Sequence, residues 1–438
     1  MDLRLFFDKL SEDDVAHYKR LRGFGENVHF LLGELPDLNN TDIAFFTVGK
    51  SFEGEEVKET YTEGYKSFHQ LRSALYALQS FNKPLQIVDL GQLRPGAHIE
   101  ETKGRLTEIC AYLMSMDVLP LAIACDHALD MGQFLAYQEL DKLVSVLVVD
   151  AKIDMHLHTE TQRKKREKEH DTAEKDGSSQ SQEGLSQEAQ TRAGQAQAGR
   201  TQVGDTQVGH TQEMLLHHPN FLFDYCHLGY QRYFVNKKVL DTFIKLNFEM
   251  KSIGQMRDNL QEIEPLLRGA DMLSFDLSAI KHSDLPLKNT VQPFGLSGEE
   301  ACQLSWYAGT NEKLTSVGLY GLSEENCDSD LAMQVVSTML WYFIEGFAHR
   351  KVEYSFKSNF HIKYIVPLID SNKNLPTHEL IFYKSKQTDK WWMEIPTSSD
   401  KSNILGRNAI VPCSYSDYET ANKGVVPDRW LKALEKFS

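Results

Sequence analysis

The chain has 438 residues, 41% hydrophobic and 10% aromatic, which is enough apolar surface for a sizeable packed core. Its formal net charge of −15 at pH 7 argues against nucleic acid or an anionic membrane surface as partner, because a phosphate-binding face needs clustered lysine and arginine. The opening "MDLRLFFDKLSEDD" mixes acids into a short apolar run and has neither a signal-peptide core nor a small-residue cleavage site. No apolar run is read as approaching the ~18 residues of a membrane span, so a cytoplasmic protein is expected. The six cysteines (Cys110, Cys125, Cys226, Cys302, Cys327 and Cys413) show no CxxC pair and read as plain thiols rather than a zinc knuckle or disulfide framework.

In chain order, Ser11 followed by acids predicts a capped surface helix over "SEDDVAHYKRLR". Short apolar runs then alternate with amphipathic stretches: residues 42–49 ("DIAFFTVG"), 85–91 ("LQIVDLG"), 119–125 ("LPLAIAC") and 145–151 ("SVLVVDA"). Strands without period-two alternation are covered on both faces, which predicts a parallel sheet between helix layers, a three-layer α/β domain over 1–158 and 214–350. Residues 159–213 are poor in large apolar side chains and end in the repetitive "RTQVGDTQVGHTQ", so they are expected to be a disordered insert. The "RKKREK" inside it is flanked by acids and reads as a solvated charge run. The sheet pattern resumes at "QRYFVN" and at "LRGADMLSFDLSAI", which ends a strand on Asp276. Ser297 and Glu300 have capping-box spacing, "TSVGLYGLS" reads as the last core strand, and "SDLAMQVVSTMLWYFIEGF" as a long packing helix. Residues 351–438 form a C-terminal appendage with a hairpin-like pair, "HELIFYK" and "KWWMEIP", and a terminal helix from Pro427.

Three strand ends carry polar residues suited to a cation: "ACDHALDMG" with Asp126 and His127, "VDAKID" with Asp150 and Asp154, and "SFDLSAI" with Asp276. In an open parallel sheet, sites form outside the carboxyl ends of the strands, so the three ends can converge. In this order they resemble the ureohydrolase family of arginases, agmatinases and formimidoylglutamases, with formimidoylglutamase the nearest-looking branch, over about residues 40–350. That resemblance implies a three-layer arginase-like fold, homo-oligomers, and a dinuclear manganese site built from GGDHS, DAHxD and SFDxDxxDP motifs. It carries one metal onto His127, Asp150, Asp154 and Asp276. The second metal loses two ligands, because Lys152 stands at the DAHxD histidine and Ser278 at the second SFDxD acid. A protonated lysine has donors only and does not ligate a cation. At most one Mn2+ is therefore expected, with Lys152 supplying positive charge beside Asp150 or Asp276. The substrate-anchoring glutamate aligns with Gly321, or, if the alignment slips, near Glu324 and Glu325.

Three functions stay open at this point: a non-catalytic or scaffolding protein with a dismantled dinuclear centre, a single-metal hydrolase of linear amidines such as formimidoyl-glutamate, and a ligand-binding regulatory module. Weaker candidates have plainer readings. His156 and His158, and likewise His217 and His218, read as polar surface residues before metal pairs. "GFGENVHFLLG" follows no strong strand signal that would make it a phosphate loop. Trp391, Trp392 and Trp430 read as packing of the appendage before a binding surface.

Overall fold

The apolar runs of the first half become neighbouring strands of one sheet. In the computed structural model the described residues are 1–34, 36–50, 68–155, 209–288, 291–322, 329–353, 356, 359–369, 376–396 and 409–437. Ten strands form the main sheet: β1 (Phe7–Asp8), β2 (Val28–Phe30), β3 (Ile43–Val48), β4 (Ile87–Leu93), β5 (Leu119–Ala124), β6 (Val144–Val149), β7 (Leu222–Tyr230), β8 (Glu249–Ser252), β9 (Met272–Asp276) and β10 (Ser316–Tyr320). Their order is β1-β4-β3-β5-β10-β9-β6-β7-β8, with β2 also on β4. Among the described residues every pairing but that of β1 with β4 is parallel. The centre therefore sets β5, β10, β9 and β6 side by side, pointing the same way, and their carboxyl ends share one edge.

Burial on both faces explains why these strands read as continuous apolar runs. Along β3, Ile43 and Phe45 enter the core on one side of the sheet, and Ala44, Phe46 and Val48 the core on the other. Along β6, Leu147 and Val149 divide in the same way from Val144, Val146 and Val148. The mostly parallel sheet between helices is the layered α/β architecture that the resemblance implies. The helix Asp330–Ala348 is, by length and composition, apolar enough to cross a membrane, which corrects the expectation that no such run exists. It is a core element: Met333, Val336, Met339, Leu340 and Phe343 are buried. It crosses the helix Gly298–Gly309 where a Cβ on Gly309 would lie 2.2 Å from the Phe343 carbonyl oxygen.

Two further differences from the sequence reading concern strands and the insert. "QRYFVN" is not a strand; the strand is β7, nine residues earlier at its start, and the chain turns after Tyr230. The last residues of the expected insert are ordered, since a helix runs over His210–Leu216; residues 159–208 lie outside the described set, as do His156, His158, Glu324 and Glu325.

The C-terminal region adds a second, antiparallel sheet in the order β11 (His361–Ile369), β12 (Pro376–Ser385), β13 (Trp391–Glu394) and β14 (Ile410–Cys413). The β12–β13 pair is the hairpin expected from sequence, and the helix Asp428–Phe437 is the terminal helix. Trp391 and Trp392 are buried, and Trp430 Nε1 donates to the Glu394 carbonyl at 3.1 Å, so the tryptophans pack the appendage. Buried Arg268 joins it to the main domain: its guanidinium donates to the carbonyls of Trp391 (2.9 Å) and Cys413 (3.2 Å), pairs with Glu264, and lies 4.4 Å from the Trp392 ring centre.

Candidate metal centre

Each of three strand ends finishes in an aspartate that accepts the backbone N–H two residues on, a local turn that short acidic side chains favour. Asp126 accepts from Ala128 (2.9 Å), Asp150 from Lys152 (3.0 Å) and Asp276 from Ser278 (2.6 Å). For Asp150 and Asp276 this bond occupies Oδ1 and leaves Oδ2 facing His127, at 3.5 and 3.0 Å from its Nδ1. Asp126 is exposed; it caps the short turn His127–Leu129 and contributes nothing to the cluster except the placement of His127.

The histidine is locked from behind. The Ser274 hydroxyl donates to Asp130 Oδ2 at 3.0 Å, so the 2.9 Å contact between His127 Nε2 and Ser274 Oγ is an N–H donated by the imidazole. That fixes Nδ1 as the atom turned to the acids. Asp130, fully buried at the head of the helix Asp130–Glu139, holds a second imidazole as well: His210 Nδ1 lies 3.0 and 3.1 Å from its two oxygens. His210 Nε2 then faces Asp154 Oδ2 at 3.1 Å, and the two imidazole rings are 4.2 Å apart. Although Asp154 and His210 are distant in sequence, the chain returns against itself here, with Gly209 so close to Asp154 that a Cβ would meet its carbonyl oxygen at 2.3 Å.

Sequence reasoning missed His210. It lies at the end of the repetitive "TQVGHTQ", and no local pattern distinguishes it; only the return of the chain brings it to Asp154. His127, Asp150, Asp154 and His210 offer ligand atoms all within 4.8 Å of one another. Asp276 borders this group through His127 rather than joining it.

The electrostatics are those of acids in excess. Burial alone would strip the proton from His127, but Asp276, Asp150 and Asp130 outweigh it and hold the imidazole well above its usual range. His210 behaves alike: burial and the His127 charge oppose it, yet Asp130 and Asp154 raise it to about 9. The close approach of His210 Nε2, at 3.1 Å, pulls Asp154 down to about 2. Asp150 moves up, first through burial and then through repulsion from Asp276. Nearby, burial pushes His227 down to about 3, so it stays a neutral imidazole against the Asp150 carbonyl oxygen (3.1 Å).

Lys152 does not play the part expected of it. It is exposed, its Nζ stands 5.5 Å from the centre of the Phe234 ring, and among the described residues it forms no ion pair with Asp150 or Asp276. A long ammonium chain at the rim is better solvated than one forced between buried carboxylates. His127 and His210 provide the positive charge instead. Gly321, aligned with the family's anchoring glutamate, has φ +90°, and a Cβ there would lie 3.3 Å from Asp276 Oδ1. A side chain at this position is both strained and crowded. The other candidates have structural roles: His217 bonds Gln138 at 2.6 Å, and "GFGENV" forms a short helical turn with Phe24 buried beside Tyr76.

A mostly parallel sheet with acids and imidazoles gathered at its carboxyl edge defines an α/β protein with a candidate cation site. The Arginase family model matches residues 60–323, more than half of the chain, and the protein belongs to the arginase family. No curated protein matches the chain. Among solved structures it is similar to the Trypanosoma cruzi formiminoglutamase with Mn2+, at 16% identity, over 73% of this chain and 97% of that one, with a TM-score of 0.54. It is also similar to the formimidoylglutamase of Bacillus subtilis, at 12% identity, over 75% of this chain and 92% of that one, again with a TM-score of 0.54. At these identities the likeness is one of fold.

Proposed function

We propose that this arginase-family chain has a dismantled dinuclear centre, that it holds at most one divalent cation, and that its role is non-catalytic, as a scaffolding protein. The observation that carries this reading is the rim position of Lys152. The residue at the second-ion histidine position points its ammonium over Phe234, and the companion position is Ser278, a hydroxyl in place of a carboxylate. Neither supplies what a second ion needs: a protonated lysine has no lone pair to give, and a hydroxyl lacks the carboxylate's charge. The first half-site does fit an ion: His127 Nδ1 and His210 Nε2 are buried without a hydrogen-bond partner and face acids.

The chemistry follows from this count. A dinuclear hydrolase lowers the pKa of a water held between two ions and aims it at the amidine carbon. With one ion that water is less acidic and held from one side only, and Gly321 offers no carboxylate to anchor the amidinium. The competing reading, a single-ion hydrolase of linear amidines, draws on the preserved His127, Asp150 and Asp154. A homo-oligomer in the cytoplasm, partnered by protein rather than nucleic acid or membrane, completes the proposal.

Turnover separates the two. The full chain, equilibrated with manganese and assayed for release of urea, ammonia or formamide from arginine, agmatine and formimidoyl-glutamate, is expected to give no rate above buffer. A rate that depends on metal and disappears in Asp150→Asn would replace this proposal with the hydrolase.

A further inference from the structure

The ligand set in the pocket differs from the one that the family pattern assigns, and the difference has a chemical consequence. That pattern gives the first ion one imidazole and three carboxylates, an oxygen-rich set. The four side chains that converge here are His127, Asp150, Asp154 and His210, two imidazoles and two carboxylates. His127 and His210 are more than nine-tenths buried. The nitrogen that each turns inward lacks an aligned hydrogen bond, although it lies 3.0 to 3.5 Å from carboxylate oxygens. Both rings are oriented from behind by the same buried carboxylate, Asp130, directly for His210 and through Ser274 for His127. A carboxylate behind a ligating imidazole fixes its tautomer and raises its basicity, the usual support of a metal-bound histidine.

We infer that His127, Asp150, Asp154 and His210 form a mononuclear, four-coordinate site for a zinc-class divalent cation, with His210 as fourth ligand and Asp276 outside the coordination sphere. Ligands about 2 Å from a tetrahedral zinc sit roughly 3.3 Å from one another, so a modest contraction of the present cluster closes it on an ion. Imidazole-containing sites favour zinc and cobalt, whereas carboxylate- and water-rich octahedral sites favour manganese. Asp276 stands outside the group of four whose ligand atoms lie within 4.8 Å of one another, and meets it at His127 Nδ1. Asp130 is a positioning residue: it touches no ion and holds both imidazoles at the angle the ion requires. The inference rests on the one-ion reading above, and adds the identity of the ion and of its fourth ligand.

The test uses the full-length chain, stripped of metal and titrated with Co2+ as an optical probe, then with Zn2+ and Mn2+ in competition. The expected result is one ion per chain, the intense visible absorption of tetrahedral cobalt, and zinc displacing manganese with at least tenfold preference. His210→Ala is expected to weaken zinc binding by at least about a hundredfold and Asp130→Asn by roughly ten- to a hundredfold, while Asp276→Asn changes it less than tenfold. The wild-type spectrum does not depend on any variant folding, and circular dichroism checks those that are made. A weak six-coordinate cobalt spectrum, no binding of cobalt or zinc, or loss of the ion in Asp276→Asn with retention in His210→Ala would each overturn the inference while leaving the one-ion proposal standing. Two ions per chain would overturn both.

Discussion

Two buried charge networks lie in this sheet, and they are built in opposite ways. In the first, Asp89 on β4 is fully buried and every lone pair has a donor: Arg72 Nε at 2.7 Å and Nη2 at 3.0 Å, the Tyr76 hydroxyl at 2.6 Å and the Gly91 N–H at 2.9 Å. One cation meets one anion, and the network is closed. In the second, Asp130, Asp150, Asp154 and Asp276 surround two imidazoles, and the inward nitrogen of each ring has no aligned partner. Burial of charge is common to both, so burial alone does not mark a site. The excess of acid and the unaligned nitrogens mark the second network as a place where a cation belongs.

The largest expected effect falls on the closed network. Asp89→Ala strands the Arg72 guanidinium in the core and should cost about 3–5 kcal/mol in urea unfolding. Asp150→Asn in metal-free protein removes one carboxylate from an over-acidic cluster, so it should cost less than about 1 kcal/mol. Equal losses in the two variants would erase the distinction between the networks.

A second closed network, around Arg268, ties the two sheets together. Arg268→Met deprives the carbonyls of Trp391 and Cys413 of their donor, and with Glu264 left only the longer pair to Lys390 at 3.8 Å it should destabilise the appendage by about 2–3 kcal/mol. Limited proteolysis should then cut within 361–437 before it cuts the main sheet; unchanged protection of that region would show that Arg268 is not the link.

Acid should loosen the same interface. Glu249 on β8 pairs with Lys251 at 2.8 Å and with Lys432 of the terminal helix. Burial would raise its pKa, but the two ammonium groups outweigh that and lower it. A carboxyl lowered on folding contributes stability above its ordinary value, about 4.3, and the contribution is lost as pH falls through the lower folded value. The melting temperature of wild type should fall more steeply below about pH 4.3 than that of Glu249→Gln; parallel curves would mean that the pair does not hold the appendage. The smallest effect is reserved for Lys152→Ala, which should shift stability by less than about 0.5 kcal/mol because the ammonium stands at the rim. A larger loss would place Lys152 inside the cluster after all.

Much of this was legible in the sequence. β3, β4, β5 and β6 were visible as apolar runs because both faces of each are covered, and the acids at Asp150 and Asp276 could be placed at strand ends for the same reason. β7 was hidden because Asp224 and His227 interrupt its apolar run, even though His227 is fully buried there. His210 was out of reach for a different reason: its partners Asp130 and Asp154 come from other segments, and the only local signal is a histidine after glycine in a repetitive stretch. Lys152 was expected beside Asp150 or Asp276, but side-chain length allowed it to leave the acids for the Phe234 ring, and the sequence does not say which way a lysine turns.

Equilibrium dialysis of the full-length chain against Mn2+, followed by elemental counting of the ions retained, examines the dismantled centre itself. Wild type should retain no more than one ion per chain, and the double variant Lys152→His/Ser278→Asp, which restores the two missing ligands, should retain two. Two ions on the wild-type chain would contradict the dismantled centre and return the protein to the hydrolases.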